Sequence, residues 1–325
     1  MKLLRDKVFA AVALGHLTVD LLNGQRAILL AFLSVPLGLT NTTLGIVSTV
    51  YQLVSALAQP LFGYLSDRLG ARWVIAGGVL WMGVFFALGL IVPGSLALVF
   101  LILASAGSGA FHPAGATQAT LRGRDLLAGR EATAASSFFV FGQLGFFFGP
   151  LLGGPLLEKW GAVALLGLVV ITLPMGLLSA DALKGIRPMP SETASSSVNP
   201  TVPRGKQAVI ILVTLGFIAM FQSMAQQVVN TFVPKMMVDL GQSASTYGLL
   251  AAFFMGSSAM GNLMGGILAD RFGRKQVVGL AMSLGAIPLF FISQVDAHAW
   301  YILLGLVIAA GLLNGAAYSV IVVMA

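Results

Sequence analysis

The chain has 325 residues, of which 58% are hydrophobic and only 9% charged, where a soluble domain carries about 25% charged residues. This excludes a water-soluble globular domain, a disordered chain and a nucleic-acid-binding module. The net charge of +7 is read as the cationic loops of a membrane protein, so the placement of the charges matters more than their sum. With no cysteine, disulfide scaffolds, thiolate metal sites and cysteine nucleophiles are excluded. Three histidines leave little room for a zinc centre, and neither a metal nor a cofactor is expected.

Ten windows have the roughly 20 mostly apolar residues that a spanning helix needs. They lie at 8–32, 42–66, 73–92, 95–121, 132–157, 161–180, 207–233, 243–269, 276–295 and 299–325. The windows are long and continuous, unlike the alternating segments of about 10 residues in outer-membrane strands, and they predict an all-α membrane protein. The first window follows Lys2, Arg5 and Lys7. It is too long for a signal peptide and carries Asp20 and Arg26, so it reads as a retained helix. An ionised carboxylate at mid-membrane costs about 2.5–3.5 kcal/mol. Asp20 therefore suits uptake and release of a proton as its surroundings wet and dry. His16 and Asn23 lie one turn to either side on the same face. The alternative is an Asp held by polar neighbours to lock helices together. Arg26, two turns outward on an adjacent face, either holds an anionic group in a cavity or snorkels to the headgroups.

In the fourth window, Pro113 removes a backbone donor and predicts an interruption and a kink. His112 beside it either lines the cavity or caps the kink. Gly107-Ser108-Gly109, just before, reads as packing rather than as a phosphate cradle. In the fifth, Gly145, Gly149 and Gly153 recur every fourth residue as a flat packing ridge, and Gln143 is a candidate cavity residue. After the sixth comes Asp181 to Lys206, with the run Pro188 to Ser197, a flexible linker by composition. In the seventh, Gln222, Gln226 and Asn230 form one polar stripe. It lines a substrate path or holds helices together at ~0.6 kcal/mol per contact. Asn314 in the tenth is a further cavity candidate.

Fifteen basic residues fall on one side of the predicted membrane: Lys2, Arg5, Lys7, Arg68, Arg72, Arg122, Arg124, Arg130, Lys184, Arg187, Arg204, Lys206, Arg271, Arg274 and Lys275. Lys159 and Lys235 fall on the other. The N-terminus and the loops from even to odd helices are therefore cytoplasmic.

Gly63 to Arg72 (GYLSDRLGAR) and Gly266 to Lys275 (GILADRFGRK) share a pattern at an offset of 203 residues. Thr43-Leu44-Gly45 and Thr246-Tyr247-Gly248 keep that offset. Repeats on this scale build transporters, with the path at the interface of the halves. Two units of 203 would need 406 residues, and the chain stops in an apolar run. The expectation is ten helices of twelve, with helices 11 and 12 absent. The domains expected are a six-helix bundle over 1–180, a cytoplasmic linker over 181–206 and an incomplete four-helix bundle over 207–325. Without helix 11, Gln226 and Asn314 are expected to lose partners, and the chain to insert without transporting.

At these loops the chain resembles the major facilitator superfamily, whose signature is Gly-x-x-x-Asp-Arg-x-Gly-Arg-Arg/Lys. The second copy matches throughout; the first departs at Ala71. In the family these loops latch the cytoplasmic side closed, which assigns that role to Gly63, Asp67, Arg68, Gly70 and Arg72, and to Gly266, Asp270, Arg271, Gly273 and Arg274. The alternative is a solvated charge run. A second family motif, associated with antiporting exporters, is similar to Gly145-Phe146-Phe147-Phe148-Gly149-Pro150-Leu151-Leu152-Gly153-Gly154. Gly15 to Asp20 and Gly109 to Pro113 look like the fosmidomycin-resistance branch. The resemblance implies two pseudo-symmetric bundles rocking about a cavity and proton-driven export of a small, anionic or drug-like molecule from the cell membrane. His16 and Asp20 would carry the proton. Asn23, Arg26, His112, Gln143, Gln222, Gln226, Asn230 and Asn314 would line the cavity. The partners implied are the small-molecule substrate, protons and the lipid bilayer, without nucleic acid; a monomer suffices and no oligomeric state is assigned. The alternatives are a proton-coupled importer and a non-transporting membrane receptor or assembly protein. No enzyme is expected, since no nucleophile–base pair or metal cluster is legible.

Overall fold

The computed structural model describes residues 2–127, 131–186, 206–295 and 299–324. Most of the expected linker, with Arg187 and Arg204, lies outside the described residues, as does Arg130. Every regular element among the described residues is helical. A short helical turn, Lys2–Arg5, precedes α1 (Lys7–Ser34), α2 (Asn41–Leu69), α3 (Ala71–Ile91), α4 (Leu96–Leu126), α5 (Glu131–Trp160), α6 (Ala162–Ala182), α7 (Lys206–Asp239), α8 (Ala244–Phe272), α9 (Arg274–Ile292) and α10 (Trp300–Met324). Among the described residues, nine of these, α2 to α10, contain spans long and apolar enough to cross a membrane. The exception is α1, where His16, Asp20, Asn23, Gln25 and Arg26 dilute an otherwise apolar run. Leu57, Trp73, Ile210, Ile267 and Phe290 are each more than half exposed, an apolar exterior that only a lipid environment satisfies.

The chain divides into two compact units, Met1–Thr193 and Ala194–Ala325. In the first, α1 packs on α5, α4 and α6, while α4 packs on α2 and α3. Twenty-one of the 28 residues of α1 are buried. It is apolar nearly all round, and such a helix belongs inside a bundle; its polar residues are therefore interior ones. Asp6 starts it, its carboxylate accepting from Phe9 N–H at 2.9 Å as an N-cap. In the second unit, α10 packs on α8 and α9, and α7 on α8 and α10.

Three expectations change. The sixth window is not one regular helix: Ala162–Leu165 is a 3₁₀ turn, Leu166–Val169 is α-helical, and α-helix resumes only at Thr172. Pro174 lacks the N–H that Val170 would need, and Thr172 Oγ1 donates to Val169 O at 2.7 Å, so the break is local chemistry. The fourth window is not interrupted; α4 runs unbroken through Pro113. The φ fixed by the ring is itself helical and only one ladder bond is lost.

The third change concerns the two repeated loops. Each is a single glycine, and the rest of both motifs is helical. Gly70 has φ 92° and ψ 146° and its N–H bonds to Ser66 O; Gly273 has φ 91° and ψ 141° and bonds to Ala269 O. Side chains rarely tolerate that region. The repeat continues at the other helix ends. Thr40 Oγ1 accepts from Thr43 N–H at 3.1 Å and Ser243 Oγ from Thr246 N–H at 3.4 Å, and the turn glycines Gly38 and Gly241 both have positive φ.

Candidate functional site

The glycine ridge of α5 builds the seat of the site. A Cβ at Gly145 would lie 2.8 Å from Leu21 N, and one at Gly149 would lie 3.0 Å from Gln25 N. The α5 backbone therefore rests directly on α1, the close approach that small residues permit. A Cβ at Gly142 would lie 2.6 Å from Asp20 Oδ2, so that glycine leaves room for the carboxylate itself. At Gly153 the nearest atom would be Ile28 Cδ1, at 3.0 Å. Pro150 contacts α1 beside Gly24, and Gly154 is buried in the same helix.

Asp20 is 2% exposed and both of its oxygens face imidazoles. His16 Nε2 lies 3.0 Å from Oδ2, and His112 Nε2 lies 3.4 Å from Oδ1. The far nitrogen of each ring is tied to the backbone. His16 Nδ1 donates to Phe138 O at 2.8 Å and His112 Nδ1 to Ser108 O at 2.7 Å. Carbonyls only accept, so both Nδ1 atoms carry their protons. The His16 ring also stacks on Phe138 at 4.0 Å between centroids. His112 thus bonds a carbonyl of its own helix and also reaches the carboxylate, a contact the sequence had not suggested.

Asn23 extends the cluster. Its Nδ2 donates to Asp20 Oδ1 at 2.9 Å and to Ser108 Oγ at 3.0 Å, while Tyr51 OH donates to its Oδ1 at 2.7 Å. One hydrogen-bonded chain therefore joins α1, α2 and α4. Arg26 is 4% exposed and does not snorkel. Its guanidinium lies over the Tyr51 ring at 4.5 Å, and its Nε and Nη1 have no hydrogen-bond partner among the described residues. The side-chain amide of Gln25 next to it is likewise unpaired. A buried charge without a counter-ion is costly, by several kcal/mol.

Sequence reasoning had not singled out Tyr51, Gln25, Gly142 or Phe138 for the site, and had read Ser108 as packing. Gly107 and Gly109 do pack, on Gly78 of α3 and Ser55 of α2 respectively, while Ser108 between them joins the site. Only Gly142 left a signal, three residues before the Gly145 ridge. Gln25 lies beside Arg26 on α1 itself, and Tyr51, Phe138 and Ser108 are brought in by helix packing.

The remaining candidates lie elsewhere. Gln143 is half-buried on α5. In the second unit, Gln222 Nε2 donates to Asn314 O at 3.5 Å and Asn314 Nδ2 to Gln226 Oε1 at 3.4 Å; Asn230 is 7% exposed. Gln226 and Asn314 were expected to lack partners. They partner each other, because α7 and α10 pack side by side. Asp67, Arg68, Asp270, Arg271 and Arg274 are exposed, and Gly63 and Gly266 are half-buried. Arg72 Nε donates to Ala180 O at 2.7 Å, a cation on the C-terminal end of α6.

An all-helical architecture with an apolar exterior and an ionisable cluster inside one bundle is that of a multi-pass membrane protein. The chain belongs to the Major Facilitator Superfamily, whose profile matches residues 12–221 and 215–325. In keeping with the branch resemblance, it is 29% identical to the fosmidomycin resistance protein of Escherichia coli (strain K12), over 98% of this chain and 78% of that one. It is 26% identical to the MFS-type transporter YdeG of Bacillus subtilis (strain 168), over 76% of this chain and 60% of that one. A crystal structure of a bacterial homolog of the human lysosomal transporter Spinster, inward-facing and occupied, shares the fold. Its TM-score is 0.74 at 17% identity, covering 99% of this chain and 74% of that one.

Proposed function

We propose that the protein is a secondary active transporter, a proton-coupled antiporter that exports a small anionic or amphiphilic molecule by alternating access. The observation that carries this is the buried Asp20, bracketed by His16 and His112 and joined through Asn23 and Tyr51 to a buried arginine with unpaired donors. Asp20 and His16 hold the proton. Arg26 holds an anionic group of the substrate, and its planar fork suits a carboxylate or a phosphonate. Protonation of Asp20 weakens its hold on Asn23. Because Asn23 also holds Tyr51, the change reaches the ring beneath Arg26. Proton binding at one end thereby alters the anion seat at the other, which is the differential interaction that a coupled transporter needs.

Export as the direction draws on the helix 5 motif and on the relative named for fosmidomycin resistance. The reading places the protein in the cell membrane with a cytoplasmic N-terminus, from the fifteen basic residues on one side. It keeps an N-terminal bundle over 1–180, a linker over 181–206 and a C-terminal part over 207–325, with Asp67 and Asp270 in the latch. It assigns Gln222, Gln226 and Asn314 to holding α7 on α10.

The test uses inside-out membrane vesicles carrying the full-length protein, with labelled fosmidomycin as the first anionic probe. An acid interior is expected to drive accumulation above the level of empty vesicles. Accumulation driven only by an acid exterior would establish the importer instead. Indifference to the gradient for this probe and for other small anions would refute proton coupling.

A further inference from the structure

We propose that His16, Asp20 and His112 form a binding site for one divalent transition-metal ion of the zinc and cobalt type. One ring nitrogen of His16, one of His112 and an oxygen of Asp20 all lie within 4.8 Å of one another. A tetrahedral ion with bonds of about 2.0–2.2 Å holds its ligand atoms roughly 3.3–3.6 Å apart. His16 Nε2 lies 3.0 Å from Oδ2 and His112 Nε2 3.4 Å from Oδ1, so the two rings address the two oxygens of one carboxylate, and one ion drawn between them would need only small side-chain shifts.

The protonation of the rings makes the case stronger than the proximity. Both Nδ1 atoms donate to backbone carbonyls, those of Phe138 and Ser108. In each neutral ring, Nε2 is then a bare lone pair, and both lone pairs point at carboxylate oxygens, which are acceptors too. Acceptor facing acceptor is repulsive unless something positive lies between them. A metal ion supplies that charge to both contacts at once. Fixing a ligand histidine through its other nitrogen is also how metal sites set ring orientation.

The donor set selects the metal. Two imidazoles and one carboxylate suit zinc, cobalt and nickel rather than magnesium or calcium, which prefer all-oxygen shells. Three protein ligands leave one position of a tetrahedral shell open. His16 and Asp20 are sealed, at 3% side-chain exposure each, while His112 is 27% exposed and gives the ion its way in. The site uses the residues that the transport reading gives to the proton, but its test reads equilibrium metal binding and not direction or substrate.

The experiment takes the full chain in detergent, purified on a tag without histidine, and titrates Co²⁺ while recording visible absorption. Tetrahedral cobalt bands saturating at one ion per chain, displaced by Zn²⁺ and not by Mg²⁺, are expected. His298→Gln removes the one histidine outside the cluster and should leave the titration unchanged. His112→Gln, at the half-exposed ligand, should weaken binding by about 100-fold or more, as should His16→Gln. No cobalt bands in the wild type would overturn the proposal and leave protons as the only charge between the rings. Bands surviving in both His16→Gln and His112→Gln, or lost in His298→Gln alone, would overturn it as well.

Discussion

At an offset of 203 residues the two units share their helix ends and differ in their interiors. Thr40 and Ser243 both cap a helix, and Gly70 and Gly273 both turn the chain within one residue. The ionisable groups of the site have no such counterpart, although the amide of Asn23 recurs as Gln226. His16 corresponds to Ala219, Asp20 to Ser223, Arg26 to Val229, Tyr51 to Phe254 and His112 to Gly315. Caps and turn glycines are what any copy of the bundle needs to form its helices, so they recur. Buried charge is costly, and it occurs where it has work to do. The teaching is that construction is duplicated and chemistry is not.

The comparison can be broken hardest at helix packing. Gly145→Leu places a side chain against the α1 backbone, and Gly265→Leu does the same between α8 and α10, where a Cβ would lie 2.6 Å from Ala316 Cα. Each should cost about 3 kcal/mol or more, beyond the usual range for an overfilled core, because backbone must move. Thermal unfolding in detergent should show similar losses for both, but only Gly145→Leu should disturb ligand binding. Loss of binding in both would mean that the second unit also carries the chemistry.

A narrower test concerns Arg26. Arg26→Gln should weaken anionic ligands by about 10-fold to 100-fold, the worth of a charge-assisted hydrogen bond at ~1.5–3 kcal/mol, and leave neutral ones nearly unchanged. Equilibrium binding of paired anionic and neutral compounds checks it. Equal loss for both would remove the anion role.

Gly70→Ala and Gly273→Ala should each cost about 1–3 kcal/mol from the backbone strain alone, and by similar amounts. Melting temperatures of the two variants compare them directly; a clear inequality would show that the turns are not equivalent. The smallest effect is expected at the α7–α10 contact. Gln226→Ala should cost only ~0.6 kcal/mol, given the long 3.4 Å bond to Asn314. A loss several times larger would mean that this stripe does more than hold two helices together.

The sequence made the helices legible because apolar length is a local property, and it made the repeat legible because five of ten positions coincide. Asp20, His16 and Asn23 were legible as one face because they lie on one helix. His112 was a candidate by chemistry, but its convergence with His16 on a single carboxylate was not. It comes from a helix 92 residues further on, and only packing brings it there. The same is true of Tyr51, whose neighbours in α2 mark it as one more large side chain. The cluster of His16, Asp20 and His112 was not legible for the same reason: spacing is read along the chain, and these side chains meet across helices.

The central claim is that Asp20 couples the proton, and the direct measurement is gradient-driven transport by the full-length protein in vesicles. It should be made for Asp20→Asn beside Ser223→Ala, the change at the counterpart position in the second unit. The account predicts that Asp20→Asn abolishes response to an imposed proton gradient while the protein still inserts and binds ligand, since an amide cannot cycle a proton, and that Ser223→Ala behaves as wild type. Wild-type gradient-driven rates in Asp20→Asn would contradict it.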